Sequence, residues 1–409
     1  MIWYQIGLML YKLGLIVASL FYKKAALILQ GQKSTLTRFS SSPIPQNNLI
    51  WIHVASLGEF EQARPIIENI KKTYPKHYVL LSFFSSSGYE VRKNYALADE
   101  VIYLPMDSQK NATRFFEYYK PILCIVVKYE FWYYYFKESA NRNIPLLSIS
   151  TILRNNQVFF KRKNRYTQVL NFVDHFFVQN NESKQLLSSL NISENITVSG
   201  DTRFDRVAKV RQEEFNIDDI QEFCKGKTVV VYGSSWPEDL NTVQSFIKKT
   251  TTCKHIIAPH EISEEQLTSI EKRFPNNTSR YTQEIDHDKD ILIIDCIGKL
   301  MGIYALADIA YVGGAFGSGL HNILEPATFG IPVVFGKEYS KFQEAIDLLK
   351  LGGAYSVGNA DMAQKTLLEL LNNEALRNKS GKICADYVDN NTGATKKIMT
   401  YINSKLASA

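Results

Sequence analysis

The sequence predicts an α/β protein: two doubly wound parallel sheets in tandem behind an apolar N-terminal helix. Three observations predict it. Short apolar runs alternate with helix-like stretches along most of the chain, the pattern of parallel strands covered on both faces. A charged stretch, 206–227, splits the runs into two series. The chain has 409 residues, too many for one ordinary core and suited to two domains.

The apolar helix comes first. Residues 2–22 are almost entirely apolar, and the exceptions Gln5, Lys12 and Ser19 recur every seven residues. On a helix they form one narrow polar stripe. Trp3, Tyr4 and Tyr11 lie early, Phe21 and Tyr22 close the segment, and Lys23, Lys24, Lys33 and Arg38 follow. Aromatics at both ends suit a membrane interface. The length is about the roughly twenty residues that span a bilayer, although Lys12 near the middle makes a clean span costly. No positive charge precedes the apolar stretch, which argues against a cleaved signal peptide. Two readings stand: an anchor, spanning or interfacial, over 1–30, with the trailing basic residues placing the rest on the cytoplasmic face, or a helix buried on the first domain. Residues 34–48 read as a polar linker containing prolines.

The first strand series comprises LIWIHV (49–54), YVLLSFF (78–84), ILCIVV (122–127), PLLSIS (145–150), HFFV (175–178) and ITVS (196–199), with helices such as 60–72 and 108–119 between. The second comprises TVVVYG (228–233), HIIA (255–258), ILIID (291–295), IAYVGG (309–314) and PVVFG (332–336), with a helix at 263–274. These series outline a first domain over 49–205 and a second over 226–385. A terminal piece, 386–409, carries a weak helix (395–406) expected to pack back on the first domain. Ligands of such sheets bind beyond the carboxyl ends of the strands, so two domains facing each other predict an interdomain cleft.

Composition excludes several classes. Hydrophobic residues make up 45% and charged residues 22%, which is globular rather than disordered. The net charge of +6 suits an anionic membrane, a phosphorylated lipid or a nucleotide, or is background drift. No dense basic stripe with a binding motif supports nucleic acid. The five cysteines form no C-x-x-C pair, so neither a disulfide framework nor a zinc site is indicated, and no D-x-D motif offers a metal site. The expectation is no metal and no cofactor.

Four motifs could carry chemistry. In HVASLGEFEQA (53–63), Glu59 stands at a strand's carboxyl end and in a helix's first turn, placed either as a general base or as half of a Ser56-x-x-Glu59 capping box. The positive helix end lowers its pKa, so a useful base needs an apolar or anionic setting. In KYEFWYYY (128–135), Glu130 follows a strand; it reads as a site carboxylate or a solvated edge, and its aromatics as pocket or core. In SGDTRFD (199–205), Arg203 reads as a phosphate or carboxylate donor, or as the partner of Asp201 or Asp205. The most specific motif is VGGAFGSGLHNILEPATFGIPVVFG (312–336), a glycine-rich turn into a helix expected from Asn322. It suits phosphate, with Glu325 on ribose hydroxyls, but Asn322 and Glu325 also read as a capping box. It is not a P-loop. GSSWPED (233–239), APHE (258–261) and DCIGKL (295–300) occupy matching strand ends.

In this order the motifs resemble the bacterial 3-deoxy-D-manno-octulosonic acid (Kdo) transferase family, from the N-terminal segment to about residue 385. The resemblance implies a GT-B glycosyltransferase fold, CMP-Kdo as donor, a lipid A precursor as acceptor, no essential metal, and a place at the inner membrane. It implies Glu59 as catalytic base, Glu130 and Arg203 as transition-state stabilisers, and nucleotide contacts from Gly233, Ser234, Pro259, His260, Ile297, Gly298, Lys299, Gly314, His321, Asn322, Ile323, Leu324 and Glu325. The chain departs from the family pattern at Arg203 (usually lysine), His260 (commonly arginine) and Lys299 (often glutamate). Residue chemistry alone also admits a GT-B transferase using a UDP-sugar, or a non-catalytic membrane-bound sensor of nucleotide or lipid.

Overall fold

The computed structural model describes residues 2–41, 48–157, 160, 167–317 and 319–407. The chain forms two compact units, Met1–Arg206 with Thr392–Ala409, and Val207–Asn391.

Unit 1 begins with α1 (Ile2–Ser19) and α2 (Lys23–Ser41). A sheet with interleaved helices follows: β1 (Leu49–Val54), α3 (Leu57–Thr73), β2 (Tyr78–Phe83), α4 (Ser86–Arg92), β3 (Glu100–Tyr103), α5 (Gln109–Tyr119), β4 (Leu123–Val127), α6 (Tyr133–Asn141), β5 (Leu146–Thr151), β6 (His175–Val178), α7 (Asn181–Ser188) and β7 (Ile196–Val198). The unit boundary falls within α8 (Thr202–Val210). All pairings are parallel, in the order β3-β2-β1-β4-β5-β6-β7. The winding direction reverses between β1 and β4. The inner strands are mostly apolar because helices cover both faces, with buried polar exceptions such as His53 in β1 and Ser82 in β2. Trp51, Phe115, Phe116 and Tyr135 pack on one side, and Ile52, Phe60, Ile66 and Phe83 on the other. Each such side chain contributes about 1.5–3 kcal/mol by leaving water. Local signals set the helix starts: Ser56, Ser108 and Asn180 each accept a backbone N–H three residues on.

Unit 2 comprises α9 (Asp218–Cys224), β8 (Thr228–Ser235), α10 (Pro237–Lys249), β9 (Cys253–Pro259), α11 (Glu264–Arg273), β10 (Thr278–Arg280), β11 (Ile291–Ile293), α12 (Leu300–Tyr304), β12 (Ile309–Val312), α13 (Leu324–Thr328), β13 (Val333–Phe335), α14 (Gln343–Leu351), β14 (Ala354–Ser356), α15 (Ala360–Asn372) and α16 (Glu374–Asn390). Its parallel sheet runs β10-β11-β9-β8-β12-β13-β14, reversing between β8 and β12. The chain ends in α17 (Ala394–Ala407), whose Ile398, Met399 and Ile402 are buried in unit 1 against the α3 side of the sheet. Asp205 accepts the backbone N–H groups of Gly393 and Thr395 and so caps α17.

Several expectations need correction. The apolar segment is not one helix over 2–22: α1 stops at Ser19 and α2 starts at Lys23. Among the described residues no helix is long and apolar enough to cross a membrane. The side chain of Trp3 lies outside the described residues. Residues 34–41 are helix, not linker, and the rest of that stretch to 47 also lies outside them. Tertiary contacts make α2 helical: Gln32 Nε2 donates to the Leu104 carbonyl at 3.1 Å, Thr35 Oγ1 to the Tyr103 carbonyl at 3.0 Å, and Arg38 pairs with Glu100. The glycine-block helix starts at Leu324 rather than Asn322. Three strands went unread, β3, β10 and β14; each is a sheet edge of four residues or fewer.

Candidate active site

In unit 1 the polar cluster sits where ligands of such sheets bind, at the carboxyl ends of β1 and β4, the strands flanking the reversal. Glu59 lies in the first turn of α3 after β1, and Glu130 in the loop after β4. The loop is built on Lys128, a non-glycine residue at φ +61; its backbone N–H donates to the Ile149 carbonyl at 2.9 Å. Such a conformation costs about 1–3 kcal/mol and persists where the surroundings dictate it.

Glu59 is buried, with Oε2 accepting the Ala55 N–H at 2.5 Å and its own N–H reaching Ser56 Oγ at 3.5 Å. The capping-box reading thus holds in modified form, the carboxylate reaching one residue further back than the N-cap. Burial pushes the Glu59 pKa up, against the Ala55 and Ser56 N–H groups and the Lys128 charge, which pull it down. Burial, then repulsion from Glu59, pushes Glu130 up to about 8. The setting a base at a helix start requires is therefore present: apolar enclosure plus a second carboxylate.

Two residues outside the expected set complete the cluster. His53, inside β1, is fully buried. Its Nδ1 lies 2.9 Å from Ser82 Oγ, Trp132 Nε1 donates to its Nε2 at 3.2 Å, and the same Nε2 lies 4.0 Å from Glu130 Oε2. Because Nε2 accepts, the ring carries its proton on Nδ1; burial lowers its pKa to about 3, so it is neutral. Trp132 also hydrogen-bonds Glu130. His53 gave no signal within an apolar run, whereas Trp132 is the third residue of the E-x-W motif.

Arg203, second residue of α8, is paired. Its backbone N–H donates to Asp201 Oδ1 and its Nε to Asp201 Oδ2, both at 2.9 Å. Buried Asp201 also accepts from Gln62 Nε2 at 2.9 Å, and its pKa falls chiefly because Arg203 outweighs burial. Gln62 lies one turn after Glu59, so the GDTRFD motif is bolted to the helix carrying Glu59.

The second cluster, in unit 2, again lies at the reversal, beyond β8 and β12. Buried Asp239 in α10 joins the two strand ends: Oδ2 accepts from Trp236 N at 2.9 Å and Gly314 N at 2.8 Å, and Oδ1 from Tyr311 Oη at 3.1 Å. Gly314 needs φ +95, and a Cβ there would overlap the Gly319 carbonyl. Gly233 leaves room for the Tyr304 hydroxyl. Ser234, at φ +49, marks the bulge where β8 slips against β9. His260, after Pro259, stacks with its ring centroid 4.5 Å from both Trp236 and His321. Trp236 Nε1 donates to His321 Nε2 at 3.0 Å. Burial, then the His260 charge, lowers the His321 pKa to about 4. A cavity of about 360 Å³ adjoins the stack, lined by Ser235, Trp236, Glu238, Glu261 and Phe316 among others.

The remaining expected residues divide. Ile297 is 92% exposed beside Gly298 at φ +95, and Lys299 Nζ donates to the Asn216 carbonyl at 2.9 Å. Asn322 Oδ1 accepts from Leu324 N at 3.2 Å, and its Nδ2 donates to Glu325 Oε1 at 3.1 Å. This joins the two side chains directly rather than as a capping box. The side chains of Ile323 and Leu324 are buried, so only their backbone could meet a ligand. The phosphate-cradle expectation is weakened: the N–H groups of Gly314, Gly319 and His321 already donate to Asp239, Gly314 and Gly313, and α13 is five residues long. Residue 318 of this block lies outside the described residues. Among the described residues no group of three His, Cys, Asp or Glu could hold a metal.

Two parallel Rossmann-like sheets, each with its polar cluster at the reversal, define the architecture of the GT-B glycosyltransferases. Solved structures match that architecture in fold: UDP-GlcNAc 2-epimerase from Neisseria meningitidis (TM-score 0.61, 15% identity, 88% of this chain and 100% of that one) and the wall teichoic acid polymerase TagF (TM-score 0.52, 13% identity, 97% and 98%). Residues 31–206 match the family model described as 3-deoxy-D-manno-octulosonic-acid transferase (Kdo transferase). Whole-length relatives agree: the 3-deoxy-D-manno-octulosonic acid transferase of Rickettsia felis is 28% identical over 84% of this chain and 76% of its own length, and that of Haemophilus influenzae 27% identical over 90% and 89%.

Proposed function

We propose that this enzyme, a glycosyltransferase, transfers Kdo from CMP-Kdo to a lipid A precursor in lipopolysaccharide synthesis, with inversion and with Glu59 as general base. The observation that carries the mechanism is the buried Glu59–Glu130 pair at the reversal of the family-matched domain. Buried together, the carboxylates hold protons more tightly than solvated ones, and a carboxylate of raised pKa is the stronger base toward a sugar hydroxyl. Glu59 removes the hydroxyl proton as its oxygen attacks the anomeric carbon, and CMP departs with the bonding pair. By the family resemblance Arg203 stabilises the charge that develops in the transfer, and Lys299 is a nucleotide contact of unit 2. The Trp236–His260–His321 stack and its cavity supply an aromatic platform and room for the donor. The acceptor is assigned to unit 1.

The membrane part of the reading rests on α1 and the turn after it. Met9, Leu10, Leu13, Val17, Leu20, Phe21 and Tyr22 are all more than half exposed, and Lys23 and Lys24 follow. Such a surface is costly in water and suits an interface rich in anionic lipid. α1 then lies in the cytoplasmic leaflet of the inner membrane rather than spanning it.

The test is CMP release from CMP-Kdo with a tetraacylated lipid A precursor in detergent. Acceptor-dependent CMP release is expected. Turnover of a UDP-sugar instead would replace the donor assignment, and turnover of neither would leave a binding protein.

A further inference from the structure

We infer that α1 is a positioning element of the carboxylate site, acting through Asp107 and Phe84 as well as presenting an apolar surface. The inference rests on Glu59 and Glu130 forming the catalytic centre. Two separate lines of contact run from α1 to the loop that carries Glu130.

The first passes through Asp107, in the loop after β3. It is 3% exposed. The N-cap position of α6 is Trp132, whose side chain makes no capping bond. Asp107 caps α6 from outside: its carboxylate accepts the N–H groups of Tyr134 (3.1 Å) and Tyr135 (3.2 Å). A carboxylate at a helix N-terminus is held by both hydrogen bonds and the dipole. Its other partner comes from α1: Tyr4 Oη donates to Oδ2 at 2.5 Å. The Tyr4 ring packs near Tyr133 and Tyr134, with centroids 6.2 and 6.3 Å away, and Gln5 of α1 donates to the Tyr134 hydroxyl. The start of α6, directly after Glu130-Phe131-Trp132, is therefore fixed by a residue that α1 holds.

The second line is aromatic. Tyr11 of α1 lies 6.1 Å, centroid to centroid, from Phe84, and Phe84 lies 4.9 Å from Trp132. Trp132 donates to His53 Nε2, itself 4.0 Å from Glu130 Oε2. Phe84 thus links Tyr11 to Trp132. Among the described residues, the charged or titratable groups found to act on Glu130 are Glu59 on α3, His53 on β1, and Lys128 and Tyr129 on its own loop. None belongs to α1, so α1 acts on Glu130 through packing and through Asp107 rather than by direct charge.

Full-length protein, CMP-Kdo and detergent-dispersed tetraacylated acceptor provide the test, since detergent removes any demand for vesicle binding. Tyr4→Phe deletes one hydroxyl. Tyr11→Ala changes a residue 48% exposed, and Tyr4→Phe keeps the ring that packs against the core. Each is expected to lower kcat roughly tenfold, as small misplacements of catalytic groups do, with donor KM near wild type; Tm should stay near wild type in Tyr11→Ala and fall somewhat in Tyr4→Phe, which takes one partner from the buried Asp107. In a Glu130→Gln background the Tyr11→Ala effect should vanish; simple additivity overturns the inference. Wild-type kcat in both variants also overturns it, with the catalytic reading intact if Glu59→Gln is inactive. An active Glu59→Gln overturns both.

Discussion

Glu59→Gln separates base from cap, because the two roles use different properties of one side chain. The cap uses an acceptor oxygen: Oε2 takes the Ala55 N–H at 2.5 Å. Glutamine keeps such an oxygen in the same place, so the cap survives and α3 should start where it does now. Catalysis uses the negative charge, which glutamine lacks. Loss of a general base costs on the order of 10²–10⁴ in rate, or roughly 3–5 kcal/mol of barrier at about 1.36 kcal/mol per decade. A lost cap costs only about 0.5–2 kcal/mol, and of stability rather than of barrier. The folded protein should not suffer, because the substitution removes one of two like charges from a buried site and relieves the repulsion that raises Glu130. Initial rates of CMP release at saturating donor and acceptor, alongside a thermal melt, read both quantities. The expected result is at least a hundredfold loss of kcat with an unchanged or slightly higher Tm. Glu59→Ala should show the same loss of kcat and a Tm lowered by the missing cap. A Glu59→Gln enzyme within about threefold of wild type would leave Glu59 as a cap and refute the mechanism.

Glu130 makes a pH prediction. Its folded pKa is raised, so its contribution to stability is intact below the unfolded carboxylate value and is lost as pH rises toward about 8. Glu130→Gln should flatten that fall in urea titrations between pH 5 and 8, raising Tm at neutral pH; a variant no more stable than wild type at neutral pH contradicts the burial argument. Gly314→Ala should destabilise unit 2 by about 1–3 kcal/mol from backbone strain alone, more from the overlap with the Gly319 carbonyl, and raise the donor KM. Denaturant melts and donor titration check this, and a neutral substitution would show that the turn relaxes freely. Turnover should persist in excess EDTA, and activity restored only by magnesium or manganese would show that a metal is required.

What could be read in the sequence follows the physics of burial. β1 and β6 stand where their apolar runs lie, because central parallel strands must be apolar on both faces. Edge strands carry no such obligation. Thr278–Arg280 has the sequence TSR and offers nothing to read. Helix α2 was missed for the opposite reason: its sequence is polar, and distant partners such as Leu104 and Tyr103 hold it. Glu59 and Glu130 were legible as strand-end carboxylates, but not their mutual repulsion, since 71 positions separate them in the chain. His53 was hidden because its polar partners, Ser82 and Trp132, come from other elements.

The seat of α17 bears on how the protein is made. Ile398, Met399 and Ile402 pack with Ile66 and Ile70 of α3 and Phe177 of β6 on one side of the first sheet, and Asp205 waits for Gly393 and Thr395. A ribosome delivers all of unit 2 before these residues emerge. Throughout that interval the nascent first sheet carries an uncovered apolar strip, the kind of surface chaperones hold. A premature stop near residue 392 would spare every residue of unit 2 and yet injure the domain synthesised first. Completion of the first core thereby waits on α17 (Ala394–Ala407), which is made after unit 2 rather than with the sheet it covers.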